Sequence, residues 1–311
     1  MRASTALPCL RSSLSVSRSY HVKTKLQKRL NVPTCDIIEQ RSHATVQHGP
    51  LSQRIYLMKL GTADPVSLIR ELTTLAQESS YTKIFAKVPQ SKVPPFLNAG
   101  YHMEAQIPGF FKGQDAACFL GYYLDAARHI AQDIKTLDSV LALAQAKQAT
   151  SSVAASSNPS LTLKRCTAQD APAMSQLYRK VFPSYPFPID DPDYLCETMK
   201  THIQYYAFES KGHLVALSSA EMDQTQQNVE MTDFAGLPQY RGQGLAVQLL
   251  RHMEVAMKAQ HMITAYTIAR AISPGMNITF AKQGYHYNGR LINNTHISGQ
   301  IESMNVWSKS L

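Results

Sequence analysis

The 311-residue sequence predicts an α/β fold in which helices flank a mixed sheet, preceded by a smaller α/β domain. Strand and helix patterns alternate through residues 161–311, and a shorter alternation of the same kind runs through 36–140. Between them, an Ala-rich stretch becomes a Ser/Ala segment that ends in Asn-Pro-Ser, which predicts a linker at 141–160. Residues 1–35 form a separate basic tail, which we expect to be disordered.

The elements of the second domain follow from hydrophobic spacing and turn residues. Asp170 stands where it can cap a helix, and Lys211-Gly212 separates two strand patterns as a hairpin turn does. Apolar residues recur at helical spacing from Val247 to Met257. The predicted order is strands at 161–166, 203–210, 213–222, 228–237 and 262–269, helices at 171–182, 246–260 and 275–283, and two closing strands.

The order of strands and helices predicted for the first domain partly repeats that of the second. It predicts strands at 52–60 and 81–88, helices at 64–79 and 94–101, and a further strand. "PPFLNAGY" (94–101) and "ITFAKQGY" (278–285) both close a short helix on Gly-Tyr, which indicates an internal duplication.

The net charge of +9 does not indicate a nucleic-acid partner, because the excess is confined to the tail. Residues 1–35 hold seven of the 31 Lys and Arg and no acidic residue, so the remaining chain is nearly neutral. No stretch approaches the roughly 20 apolar residues of a membrane span. We therefore expect neither a nucleic-acid nor a membrane partner, and the sequence indicates no oligomeric state.

The cysteines and the tail bear on the compartment. Five scattered cysteines without C-x-x-C spacing fit neither a disulfide framework nor a zinc site, and the histidines are also dispersed, so no metal is predicted. We expect a cytoplasmic protein. The Ser- and Arg-rich tail is either an extension without a targeting role, a start site placed too far upstream, or an organelle transit peptide.

A glycine-rich turn, "QYRGQGLA" (239–246), lies between a predicted strand and the longest predicted helix. Such a turn points free N–H groups at one spot, which suits a phosphate. It lacks the third glycine and the later acid of a dinucleotide-binding loop, and the Gly-Lys-Ser/Thr of a nucleotide triphosphate loop. It therefore predicts a phosphate cradle of another kind.

"YRGQGLA" resembles the acetyl-CoA-binding motif [QR]-x-x-G-x-[GA] of the Gcn5-related N-acetyltransferase (GNAT) superfamily, in which Arg241, Gly244 and Ala246 match in order. The resemblance implies a GNAT-type mixed sheet, preceded by a smaller degenerate GNAT-like domain without its own acetyl-CoA site. That first domain is expected to pack on the second and help to wall the acceptor pocket. Acetyl-CoA is the implied co-substrate, and the residues implied to bind it are Phe234, Ala235, Arg241, Gly242, Gln243, Gly244, Leu245, Ala246, Asn277 and Phe280.

Three further stretches, at 106–124, 266–285 and 292–307, are similar to the β-lysine N-acetyltransferases. This resemblance covers 36–311 and implies transfer of acetyl to the terminal amine of β-lysine, which gives the compatible solute Nε-acetyl-β-lysine in osmolyte biosynthesis. Other acceptors remain open, namely another diamine, a polyamine or a protein lysine. A non-catalytic acyl-CoA sensor is the alternative of another class.

The catalytic candidates follow from the chemistry of an amine acceptor, whose pKa near 10.4 requires a base to remove a proton. Glu230 and Asp233 lie on the strand before the cradle, three residues apart, and we expect them to face opposite sides as alternatives. Phe280 stands where the superfamily usually has a tyrosine that protonates the thiolate. Tyr285, Tyr287 or water are the alternatives for that step, and the missing tyrosine is the motive for the sensor.

A β-lysine pocket must pair one carboxylate and a second ammonium, because an unpaired buried charge is prohibitive. The candidates for the carboxylate are Arg270, Asn293, Asn294 and Thr295, and those for the ammonium are Glu302, Glu221 and Asp233.

Overall fold

The computed structural model describes residues 36–148 and 160–311, which belong to one compact unit. The predicted tail at 1–35 lies outside the described residues, as does the part of the predicted linker at 149–159. No helix in the described ranges is both long and apolar enough to cross a bilayer.

Strands and helices alternate along both halves of the described chain. The strands of the first half are β1 (Ile37–Arg41), β2 (Ala44–Gly49), β3 (Arg54–Lys59), β4 (Lys83–Pro89), β5 (His102–Phe111) and β6 (Asp115–Tyr123). Those of the second half are β7 (Thr162–Arg165), β8 (Ile203–Ser210), β9 (His213–Asp223), β10 (Asn228–Gly236), β11 (Thr264–Arg270), β12 (His286–Ile297) and β13 (Gln300–Ser310). The helices are α1 (Pro65–Glu78), α2 (Val93–Asn98), α3 (Ile134–Ala146), α4 (Ala171–Val181), α5 (Pro192–Thr201), α6 (Leu245–Ala259) and α7 (Pro274–Lys282).

The predicted elements of the second half are all present, and the hairpin at Lys211-Gly212 is confirmed. Ser210 pairs with His213 across that turn, and both turn residues have positive φ, as a tight hairpin requires. The sequence patterns missed β1, β2 and α5, and they predicted one further strand where the first half has both β5 and β6. Helix α3 also continues to Ala146, inside the range predicted as linker.

The strands form one mixed sheet in the order β1-β2-β3-β4-β6-β5-β12-β13-β11-β10-β9-β8-β7, which confirms the predicted α/β class. Read outwards from the centre, the two halves have the same order, except that β7 at the outer edge of the second half has no counterpart in the first. Each half contains one parallel pair of strands joined by a crossover helix. Helix α1 connects β3 with β4, and α6 connects β10 with β11. The other neighbouring strands within each half are antiparallel. The repeated topology supports the predicted duplication.

The two halves of the sheet meet at β5 and β12, where Gly289 pairs with Ala105. Gly289 has a φ of 142°, and a Cβ at this position would overlap the carbonyl oxygen of Glu104. A glycine is therefore required for the two backbones to approach and for the sheet to continue from one half into the other.

Candidate active site

The turn between β10 and α6 has the geometry of an anion cradle. Gly242 and Gly244 have φ values of 79° and 72°, and a Cβ at either position would meet no atom within 4 Å. Gly244 is the N-cap of α6 without a side-chain cap, and the first helical bond runs from Gln248 N–H to Gly244 C=O at 3.1 Å. Because the N–H groups of the first helical turn have no intrahelical acceptor, they are available to an anion.

A groove of about 620 Å³, here called the cradle groove, opens in front of this turn. Three cationic side chains, Arg241, Arg270 and Lys282, line it together with the polar residues Tyr240, Ser273 and Thr279. The predicted acetyl-CoA residues that line the groove are Phe234, Ala235, Arg241, Gly242, Gly244, Leu245 and Ala246. Lys282 was not predicted, although a basic residue in the last turn of the short helix α7 was a readable signal.

The other three predicted acetyl-CoA residues do not line the groove. Gln243 turns back to bond the carbonyl of Gln239. Asn277 is fully buried, donates to the carbonyls of Arg270 and Ser273 at 3.0 and 2.7 Å, and accepts from two side chains of β13. Its amide therefore holds the start of α7 in place and keeps no bond for a ligand.

A second and smaller space, here called the inner cavity, has a volume of about 150 Å³ and adjoins the cradle groove. Four residues, Phe182, Phe234, Arg270 and Met276, line both spaces. Phe280 lines the inner cavity, where its ring packs edge-on against Phe234. A ligand in the groove can therefore reach a second ligand in the cavity.

Both halves of the chain build the inner cavity, whereas the second half alone builds the cradle groove. The first half contributes side chains from β3 and β4, namely Arg54, Tyr56, Met58, Phe85 and Lys87. None of these five was a predicted site residue. A usable signal was present, because lysines at 83 and 87 interrupt an otherwise apolar strand pattern.

Glu230 and Asp233 both line the inner cavity, so the prediction that they face opposite sides is wrong. The strand alternation is broken by a β-bulge between Thr232 and Ala235, and Asp233 has a φ of 55°. The extra residue in the bulge turns Asp233 back to the side of Glu230. The two carboxyl groups can therefore hold different roles in one site.

Glu230 lies among groups that act on its charge in opposite directions. Burial and the neighbouring Glu221, its cross-strand partner on β9, raise the pKa of Glu230 to about 8, against the opposing effects of Lys87 and a hydrogen bond from Tyr266. A carboxyl group that titrates near neutral pH is suited to accept a proton from a substrate.

Asp233 is held by hydroxyl donors on both oxygens. Oδ1 accepts from Tyr185, and Oδ2 accepts from Ser219 at 2.6 Å. Burial raises the pKa of Asp233 to about 6, although these hydrogen bonds lower it. With both oxygens occupied, Asp233 is better placed to fix charge and orientation than to take a proton.

The four predicted acceptor-binding residues separate into two groups. Arg270 and Asn294 line the inner cavity, but Arg270 forms a bidentate ion pair with Glu302 at 2.7 and 2.6 Å. Glu302 and Asn293 lie outside the cavity lining, and the Asn293 amide bonds the carbonyls of Arg128 and Ile130. Thr295 lines the cavity and accepts from Arg54.

Neither tyrosine offered in place of Phe280 lines the groove or the cavity. Tyr285 is buried beside Glu254, and Tyr287 packs edge-on against Trp307. The tyrosines that do line the inner cavity are Tyr56, Tyr185, Tyr194, Tyr205 and Tyr266.

An anion cradle at a helix start, a groove and an adjoining cavity with a carboxyl of raised pKa define a group-transfer enzyme with two substrates. The chain belongs to the acetyltransferase (GNAT) family, whose sequence profile matches residues 171–285, and is an acetyl-transferring enzyme. Enzymes of this family use acetyl-CoA.

The similar proteins extend beyond the profile into the first half. Over 264 residues the chain is 41% identical to a β-lysine N(6)-acetyltransferase of Methanococcus maripaludis, covering 85% of this chain and 95% of that protein. It is 30% identical over 268 residues to the N-acetyltransferase YodP of Bacillus subtilis, covering 86% and 96%. A β-lysine N(6)-acetyltransferase of Methanosarcina mazei is 39% identical over 150 residues, covering 48% and 55%.

Proposed function

We propose that this enzyme transfers the acetyl group of acetyl-CoA to the terminal amine of β-lysine, giving Nε-acetyl-β-lysine. The observation that carries the proposal is the charge content of the inner cavity. Glu221, Glu230 and Asp233 face Arg54 and Lys87. The third cation of the lining, Arg270, is already paired with Glu302, so the remaining groups are formally short of one positive charge. β-Lysine, with two ammonium groups and one carboxylate, supplies that charge. The similarity to β-lysine N(6)-acetyltransferases supports the same acceptor.

The cradle groove fits acetyl-CoA, which brings the acetyl group as a thioester. The free amides of the Gly242–Ala246 turn suit a pyrophosphate, and the dipole of α6 favours its negative charge. Arg241 and Lys282 add positive charge along the groove. In this arrangement the thioester end points towards the four residues that the groove shares with the inner cavity.

Within the inner cavity, Glu230 acts as the base. It takes a proton from the terminal ammonium, which frees the lone pair that attacks the acetyl carbonyl. Burial alone would lower the pKa of Lys87, but Tyr56, Glu230 and Glu221 together raise it above its usual value. Lys87 therefore stays charged and keeps a share of the acids ionised before the substrate arrives.

We expect the enzyme to prefer L-β-lysine to L-α-lysine. The two isomers have the same size and differ only in the position of one ammonium. A cavity that pairs each charge therefore distinguishes them, whereas a cavity that selects by size alone does not. A misplaced ammonium leaves a buried acid unpaired, which costs about 1–3 kcal/mol and corresponds to about a 10- to 100-fold ratio in kcat/KM. Release of free thiol from acetyl-CoA across a panel of amines measures this ratio.

The same panel separates the alternatives. Equal kcat/KM for both lysine isomers would remove β-lysine as the specific acceptor, and a faster reaction with a polyamine would replace it. An acyl-CoA sensor would bind acetyl-CoA but release no thiol with any amine.

We also expect one acetyl-CoA site per chain. The turn before α1 in the first half is the counterpart of the cradle, but there the Asp64 side chain caps the helix and accepts from Ser67 N–H at 2.8 Å. A carboxylate already occupies the place that a phosphate would take, and the two anions would repel. Calorimetric titration with acetyl-CoA should give a stoichiometry of one, whereas two equivalent sites would contradict a cofactor-free first half.

A further inference from the structure

Two buried polar atoms in the wall of the inner cavity have no hydrogen-bond partner among the described residues. They are Nε of Arg54, a residue that is 4% exposed, and Oδ1 of Asn294, a residue that is 1% exposed. The two residues are adjacent, because Arg54 donates to the Asn294 carbonyl at 2.8 Å. A buried donor or acceptor without a partner costs free energy, so this pair marks a place where a ligand completes the bonding.

The Arg54 guanidinium also lacks a carboxylate partner in the part of the chain that is described. Its other hydrogen bonds reach neutral oxygens, namely the Asn294 carbonyl, Thr295 Oγ1 at 2.8 Å and Gln47 Oε1 at 3.5 Å. Arg270, which the sequence analysis predicted to bind the carboxylate, is by contrast already neutralised by Glu302. Asp36 and Glu104 act on its charge from beyond hydrogen-bonding distance. Arg54 is thus the arginine in the cavity wall that no carboxylate of the described residues pairs directly.

We infer that Arg54, on a strand of the first half, binds the carboxylate of the acceptor, and that the adjacent Asn294 amide oxygen accepts from the acceptor's nearby ammonium. This inference rests on the proposed function and makes the acceptor an amino acid with a zwitterionic head. The terminal amine then extends along the cavity towards Glu230. Polyamines are excluded by the same feature, because they would place an ammonium against an unpaired guanidinium.

The experiment compares β-lysine with its carboxamide, which keeps both amines and the chain but has no negative charge. The wild-type enzyme should prefer the acid by about 10- to 100-fold in kcat/KM, as expected for a charge-assisted hydrogen-bonded pair. Arg54→Gln should raise the KM for β-lysine by a similar factor and leave the carboxamide nearly unaffected. The preference ratio should therefore fall towards one, and Arg54→Lys should restore part of it.

Arg128→Gln is the matched control. Arg128 is also a buried arginine bonded to neutral oxygens, namely the Asn293 and Ser52 carbonyls and Thr82 Oγ1, but it does not line the inner cavity. Its loss should lower the free energy of unfolding in the same way without changing the preference ratio. Because the ratio is independent of the folded fraction, a destabilised variant remains informative.

The outcomes distinguish this inference from the proposed function. If the wild type acetylates β-lysine but Arg54→Gln keeps the full preference for the acid, the carboxylate site is not at Arg54 and the inference is overturned. If β-lysine is not acetylated, the proposed function fails. The comparison between a carboxylic acid and its carboxamide is then repeated with the amine acceptor that the panel identifies. A best acceptor without a carboxylate would overturn both.

Discussion

Glu230→Gln is expected to lower kcat by about 10²- to 10⁴-fold, the usual contribution of a general base. The glutamine has nearly the same shape and keeps the packing against Tyr266, but it cannot take the proton of the substrate ammonium. The variant should recover part of its activity in alkali, where more of the amine, with a pKa near 10.4, is already neutral. Steady-state thiol release across a pH series measures both effects.

The pH profile of the wild type tests the same assignment. If Glu230 is the base, only its carboxylate form is active. Because its pKa is raised to about 8, kcat/KM should then fall as the pH falls through about 8. This inflection should be absent from Glu230→Gln. If Asp233 were the base, the fall would instead come near pH 6, since burial raises its pKa to about 6.

Asp233→Asn is the comparison within the same cavity. Its hydroxyl partners, Tyr185 and Ser219, can still bond the amide oxygen, so the expected loss in kcat is about tenfold, the value of one hydrogen bond to a charged group. A larger loss than that of Glu230→Gln would move the base to Asp233. A uniform loss for Glu230→Gln at all pH values would make Glu230 a positioning residue.

Gly244→Val is expected to raise the KM for acetyl-CoA by about 10- to 100-fold with a much smaller effect on the KM for the amine. The Gly244 Cβ direction is open, so the valine side chain would project into space that the pyrophosphate needs in order to reach the amides of α6. A β-branched residue also resists a φ of 72°. The two KM values from initial rates, with each substrate varied in turn, measure this selectivity.

Gly212→Val separates the loss of the cradle from backbone strain. Gly212 has a φ of 77° and open space around its Cβ direction, but it lies in the β8–β9 turn, away from both the cradle groove and the inner cavity. Its substitution should lower the melting temperature as Gly244→Val does and leave the KM for acetyl-CoA unchanged. An unchanged acetyl-CoA affinity in folded Gly244→Val would refute the cradle.

The features that local chemistry determines could be predicted from the sequence. The cradle depends on two glycines at a helix start and the β8–β9 hairpin on Lys211-Gly212, and each stretch adopts its conformation for reasons contained within a few residues. The strand and helix order of the second half follows from hydrophobic periods in the same way. The resemblance to the GNAT superfamily added the expectation that the phosphate-containing ligand is acetyl-CoA, which the hydrophobic periodicity alone did not provide.

The features that depend on distant contacts could not be predicted. The bulge that turns Asp233 to the side of Glu230 has no glycine or proline to announce it, so simple alternation gave the wrong face. Glu221 became the neighbour of Glu230 through strand register. Arg54 and Lys87 reach the inner cavity only because two halves of one sheet meet, which no local pattern reveals.

The junction of the two half-sheets at Gly289 has a consequence for how the substrate specificity of such an enzyme can evolve. In the proposed arrangement one half of the chain holds the acetyl donor, whereas the acceptor lies between the halves. The two substrates would then be recognised by different stretches of the gene. Substitutions on β3 and β4 can change which amine is accepted while the donor machinery is inherited intact. A first half without a cofactor site of its own would then be preserved by selection on substrate choice, provided that position 289 stays free of a side chain.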